Sequence, residues 1–178
     1  MRRVFLIAAL LLSGCVSEAS ASYSLPEILT TTKTLSKDGT GADCAIVGTG
    51  AGALGATAGC TLVAAVANKV IIPVSAHVFY TRATASYTGG GNARLSYSTA
   101  SGLVSISATV SAAYFFTLTT SNSFFLTPTL GSGDDLTGTA SGLVNAPVIL
   151  RSDAAITNPG TAAGTAVVKT VYYLLDAP

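Results

Sequence analysis

From Val104 to Leu118 the chain alternates with a period of two. Val104, Ile106, Ala108, Val110, Ala112, Tyr114, Phe116 and Leu118 fall on one side, and Ser105, Ser107, Thr109 and Ser111 on the other. A helix would scatter these residues around its circumference, whereas a strand sends neighbours to opposite faces. The run is long for one strand, so a bend or break is expected near Ala112–Ala113. Val70 to Tyr80 alternates too. Val70, Ile72, Val74, Ala76, Val78 and Tyr80 share one face, and Ile71, Pro73, Ser75, His77 and Phe79 share the other. Pro73 cannot donate to a ladder, which predicts a bulge or an edge there.

Shorter strands are expected at 93–98, 123–129, 147–151 and 165–175. Turns rich in Gly, Asn and Ser separate them, as at Gly89-Gly90-Gly91-Asn92. Such a succession predicts an all-β fold, an antiparallel β-sandwich of jelly-roll or immunoglobulin-like type. Residues 61–178 are its expected domain. Residues 26–36 form a possible first strand or a short helix, with Thr30, Thr31 and Thr32 favouring the strand. Residues 37–60 are expected to be mostly Gly-rich loop. TASGLV occurs twice, at Thr99–Val104 and Thr139–Val144, and reads as a repeated turn-to-strand entry or as chance.

The N-terminus has a different character. Arg2 and Arg3 precede an apolar run, Val4–Leu12, and then Leu12-Ser13-Gly14-Cys15. That run is too short to cross a bilayer as a helix, which takes about 20 residues. The order of charge, apolar run and small-small-Cys resembles a bacterial lipoprotein signal. It implies cleavage after residue 14, lipidation of Cys15 and a Ser/Ala-rich tether across 16–24. The expected location is therefore a membrane-anchored, exported protein.

Without Arg2 and Arg3 the chain keeps seven Lys/Arg against eight Asp/Glu. No cationic cluster is present to hold a nucleic acid. With Cys15 lipidated, Cys44 and Cys60 remain, and an oxidising compartment permits a disulfide between them.

The motifs that suggest chemistry are weakly supported. Gly50, Gly52 and Gly55 satisfy G-x-G-x-x-G, yet no acidic residue lies between Asp43 and Asp134 to hold a ribose. No cofactor is expected. His77 is the sole histidine and has no acidic neighbour in sequence, so the default reading is a satisfied strand histidine. Asp38, Asp43, Asp134 and Asp135 lie in Gly-rich turns without the spacing of a calcium loop, and no metal is expected. No residue set selects itself as catalytic.

In the pairs Phe115–Phe116 and Phe124–Phe125, one member must leave the core face. Phe115 and Phe125 are the expected outward residues, and hence candidate interface residues for a homo-oligomer.

One stretch resembles a known family. The pieces are Leu62–Ala65, Asn68–Ile71, Ser86–Asn92 and Leu95–Tyr97, with Val148–Leu150 and Val167–Leu175 as closing strands. Together they look like a β-sandwich module of structural proteins in tailed bacteriophages. The resemblance implies a virion decoration or fibre role and carries no catalytic residues. Three functional classes follow. The first is a virion structural subunit. The second is a surface lipoprotein that binds a partner or masks a receptor, and the third, weaker class is an exported hydrolase.

Overall fold

The computed structural model describes residues 26–48, 51–111, 120–129, 140–157, 160 and 164–177. The lipoprotein-type signal, Cys15, Phe115, Asp134 and Asp135 lie outside them. Among the described residues, two five-stranded sheets carry the fold, and a two-stranded ribbon accompanies them. The first sheet runs β2 (Cys44–Ala45), β1 (Leu29–Ser36), β12 (Thr165–Asp176), β4 (Lys69–Thr81), β9 (Asn122–Leu126). The second runs β3 (Cys60–Val63), β10 (Val148–Ser152), β6 (Asn92–Thr99), β7 (Gly102–Ser105), with β8 (Val110–Ser111) also on β6. The ribbon pairs β5 (Thr88–Gly89) with β11 (Ile156–Thr157). All pairings between named strands are antiparallel except β1 with β2, so the fold is all-β and sandwich-like.

The core forms where the inner faces meet. Ala76, Val78, Tyr80, Ala166 and Val168 come from the first sheet, and Leu95, Tyr97, Val148 and Leu150 from the second. Two side chains tie the layers directly. The Tyr97 hydroxyl donates to the Ile71 carbonyl, and Thr31 Oγ1 donates to the Leu62 carbonyl at 3.0 Å. Burial pushes the Tyr97 phenol up to about 12, as expected for a hydroxyl enclosed in apolar surroundings.

β4 pairs with β12 along its whole length, and the register slips between Val171 and Tyr172, leaving Val74 unpaired. That bulge reverses the facing of β4. Ala76, Val78 and Tyr80 point inward as expected, but on the far side of the bulge Ile71 and Pro73 are buried and Val74 is exposed. Pro73 lies where β4 has no β9 partner, since that pairing begins at Ala76, so its missing N–H costs no ladder bond.

The alternating run that begins at Val104 is interrupted soon after it starts. β7 and β8 both lie on β6, but two extra residues are accommodated between them: Ser105 is opposite Ser96, while Val110 is opposite Ala93. In the gap the Ser107 hydroxyl turns inward and accepts the Leu95 N–H at 2.9 Å. A side chain thus does the work of a ladder carbonyl, and the strand breaks at 106–109; the bend expected near Ala112–Ala113 lies outside the described residues.

One further expectation is corrected. The sandwich begins at Leu29 rather than Thr61, because β1 pairs with β12 from Leu29 to Leu35. The described part of residues 37–60 is mostly turn and loop, as expected, and it also supplies β2 and buries Ala53, Ile46 and Leu54, the last two in the main core. The TASGLV copies differ in structure. The first ends β6 and turns into β7, while the second includes a 3₁₀ turn at Ala140–Leu143. The two lie together around one surface recess of about 350 Å³. Gly89, Gly90 and Gly91 all have positive φ, as a tight reversal between β5 and β6 requires.

Candidate functional site

The two outer faces of the sandwich have opposite chemistry. On the second sheet, Arg94 and Arg151 sit directly across from one another on β6 and β10. Two like charges in that position repel. Asp153 lies between them as an ion-pair partner of both, 3.9 Å from Arg151 Nη1. Burial alone would raise the Asp153 carboxyl, but the Arg94 hydrogen bond and charge outweigh it and hold the group below its usual range. Arg151 also donates to Ser96 Oγ at 2.8 Å and Ser105 Oγ at 3.0 Å. Most of these polar groups are occupied with one another, while Arg94 Nε is buried without a hydrogen-bond partner among the described residues.

The first sheet presents an aromatic cluster. Register places His77 beside Phe125 on β9 and beside Lys169 on β12, with Phe79 two residues along the same face. The His77 ring stacks on Phe125 with centroids 3.9 Å apart, and lies 3.8 Å from Phe79 at a tilt. Lys169 Nζ sits 5.9 Å from the Phe79 centroid, a cation–π distance. Phe79 is 38% exposed and Phe125 62%. Phe124 packs against the core while its neighbour Phe125 points out, as the paired phenylalanines predict. His77 departs from expectation. Its Nε2 is buried and has no hydrogen-bond partner among the described residues. The imidazole serves here as a flat stacking surface. Sequence reasoning picked out Phe125 but not its assembly with His77, Phe79 and Lys169, which needs the pairing of β4 with β9.

A second feature lies at the margin where β1 and β3 meet. Cys44 on β2 and Cys60 on β3 are joined with Cα atoms 5.6 Å apart, so the disulfide staples one sheet to the other. Beside it is a cleft of about 460 Å³ lined by Thr31, Lys33, Asp43, Leu62, Val63 and Tyr172, among others. Among the described residues that line it, Asp43 is the one carboxylate, and it is engaged. It accepts from the Thr34 N–H at 2.7 Å, from Thr34 Oγ1 at 2.9 Å and from Lys33 Nζ at 3.0 Å. The Thr34 N–H, then Lys33, holds the Asp43 carboxyl down at about 2. Gly52 lines this cleft and has positive φ, but the glycine motif there precedes no helix, and Gly50 lies outside the described residues.

The Asp43 contacts have a pH signature. Its carboxyl titrates lower in the folded chain than in the unfolded one, so its contribution is full above the ordinary carboxylate pKa. That contribution is lost as pH falls from 3.8 toward about 2. Asp43→Asn should therefore be less stable than wild type at neutral pH, by less than about 1 kcal/mol because the group is solvent-screened. The gap should narrow in urea melts between these two pH values, and a gap independent of pH would contradict the assignment.

Among the described residues no group of three His, Cys, Asp or Glu is placed to hold a metal ion, and no helix is long and apolar enough to cross a membrane. No family model matches the chain, and no curated protein matches it. Among solved structures, a chain titled "Cyanophage Pam1 capsid asymmetric unit" is similar at 15% identity with a TM-score of 0.38. The match covers 93% of this chain and 99% of that one.

Proposed function

We propose that this protein is a non-catalytic structural module that associates with copies of itself, of the kind used as decoration or fibre subunits in tailed-phage virions. The phage assignment rests on the sequence resemblance from Thr61 to Leu175. The self-association rests on one observation: the face carrying His77, Phe79 and Phe125 is aromatic and open, while on the opposite face Arg94, Arg151 and Asp153 are engaged with one another. A chain with 10% charged residues has few means of guarding such a surface from contact. A second copy covers it without any new chemistry.

Covering a phenylalanine contributes about 2 kcal/mol. Phe125→Ser should therefore weaken association by on the order of tenfold or more. Light scattering on residues 22–178, made without lipid, reads this directly. A monodisperse monomer at micromolar concentration would refute self-association, and an oligomer indifferent to Phe125→Ser would refute the face.

A second reading, a surface lipoprotein that binds a partner or masks a receptor, is favoured by the Cys44–Cys60 disulfide. Such bonds persist in exported proteins and are rare in the cytoplasm. It predicts incorporation of a fatty-acid analogue at Cys15 in bacteria. Label at wild-type level in Cys15→Ala would exclude it.

A further inference from the structure

We infer that β1 is an association edge for a second copy of this chain: two β1 strands pair antiparallel about a two-fold axis at Thr30. The surface is the sheet edge, distinct from the aromatic face, so it adds a second contact to the self-association argued above.

β12 covers one side of β1 from Leu29 to Leu35, but on the other side β2 reaches only Leu35 and Ser36. In an antiparallel ladder, alternate residues turn both backbone groups toward the partner or away from it. Thr34 turns away from β12, since its N–H goes to Asp43 Oδ2 and its carbonyl accepts the Asp43 N–H at 3.0 Å. Thr32 and Thr30 share that parity and face the side on which, among the described residues, no strand pairs with them, and Ile28 continues it. All three residues are exposed, Ile28 to 69%. Lys33, the charge that could guard this edge, is drawn onto Asp43.

The open stretch has defined ends. Pro26 has no N–H to offer, and Thr34 is occupied by Asp43. Ile28, Thr30 and Thr32 remain, and they are symmetric about Thr30. Antiparallel pairing at that centre sets Thr30 opposite its own copy and Ile28 opposite Thr32, with about six backbone hydrogen bonds. Shifting the centre to Thr31 would place Ile28 against the occupied Thr34, and Glu27 against the buried Leu35. Backbone hydrogen-bond capacity, bounded by Pro26 and Thr34, therefore selects one register and one occupant, a second copy. The two five-stranded sheets become one continuous sheet.

The test uses the full chain in mild detergent, carrying Cys15→Ser, with single Thr30→Cys, Thr32→Cys or Phe125→Cys substitutions under mild oxidation. In the proposed register the two copies of residue 30 lie about 5.5 Å apart, within disulfide range. The two copies of residue 32 lie roughly 14 Å apart. Linked dimer should form several-fold more at position 30 than at 32. Equal linkage at both positions, or none at 30, overturns the edge. Thr30→Pro removes an N–H that points away from β12. It should leave the thermal midpoint within a few degrees of wild type while weakening association on the order of tenfold or more. Unchanged association in a folded Thr30→Pro protein also overturns the edge. Linkage through position 125 but not 30 rejects the edge and leaves the aromatic face standing. Linkage through 30, with association indifferent to Phe125→Ser, upholds the edge and rejects the face.

Discussion

Replacing Cys44 and Cys60 with alanine is expected to lower the stability of the domain by about 3 kcal/mol. The bridge closes a loop with a sequence separation of 16 residues, and cutting it frees that loop in the unfolded chain. The folded state loses in a specific place. Ile46 N–H donates to the Ser36 carbonyl at 2.7 Å, and Leu54 N–H donates to the Ala45 carbonyl at 3.1 Å. These bonds set the buried Ile46 and Leu54 side chains beneath the sheet margin. Because Cys44 belongs to one sheet and Cys60 to the other, the loss falls on the margin where the layers meet. Urea unfolding of wild-type and double-alanine proteins measures the difference. A change under about 1 kcal/mol would mean that Ile46 and Leu54 hold the segment without the bridge. A folded protein in which both cysteines alkylate before reduction would remove the premise.

Leu95→Ala is expected to cost on the order of 3 kcal/mol in folding. Leu95 is fully buried at the centre of β6, opposite Leu150, and its truncation leaves a cavity that the facing sheet cannot fill. Its backbone worsens the consequence. The Leu95 N–H is held by Ser107 and its carbonyl by the Ile106 N–H at 3.0 Å, so collapse around residue 95 disturbs the β7–β8 junction as well. Phe125→Ala provides the contrast, with an expected effect on folding of the isolated domain within about 0.5 kcal/mol. The two leucine and phenylalanine variants thus separate folding from association. A stability loss in Phe125→Ala comparable to that in Leu95→Ala would mean that Phe125 belongs to the core.

Much of the fold was legible because strand periodicity is a direct consequence of backbone geometry. The inner face of β4 beyond its bulge follows from alternation alone. Phe125 followed from adjacency, since neighbouring strand residues cannot share a face. The failures have equally specific causes. Both faces of β4 are apolar around Val70–Val74, so no pattern marked where the bulge at Val74 reverses them. Ser107 occupies a polar position in an alternating run, and a serine reads the same whether it faces solvent or accepts a buried N–H. Ile46 and Leu54 stand among Ala and Gly residues that set no period, which concealed their place in the core. His77 and Phe125 are joined only by the β4–β9 pairing, a long-range contact that no local pattern encodes. The edge at Ile28–Thr32 depends on Asp43 reaching Thr34, which requires the turn at 37–43 to be folded.

The aromatic face is the centre of the functional account, and side-chain solvent access tests it most directly. Hydroxyl-radical footprinting of the lipid-free domain, dilute and concentrated, reports the oxidation of Phe79 and Phe125 against internal controls such as the buried Tyr87 and Tyr97. Both phenylalanines should be oxidised readily in the dilute protein and protected together as the protein associates, while the buried tyrosines stay unchanged. Association that leaves Phe79 and Phe125 as reactive as in the dilute protein would contradict the account.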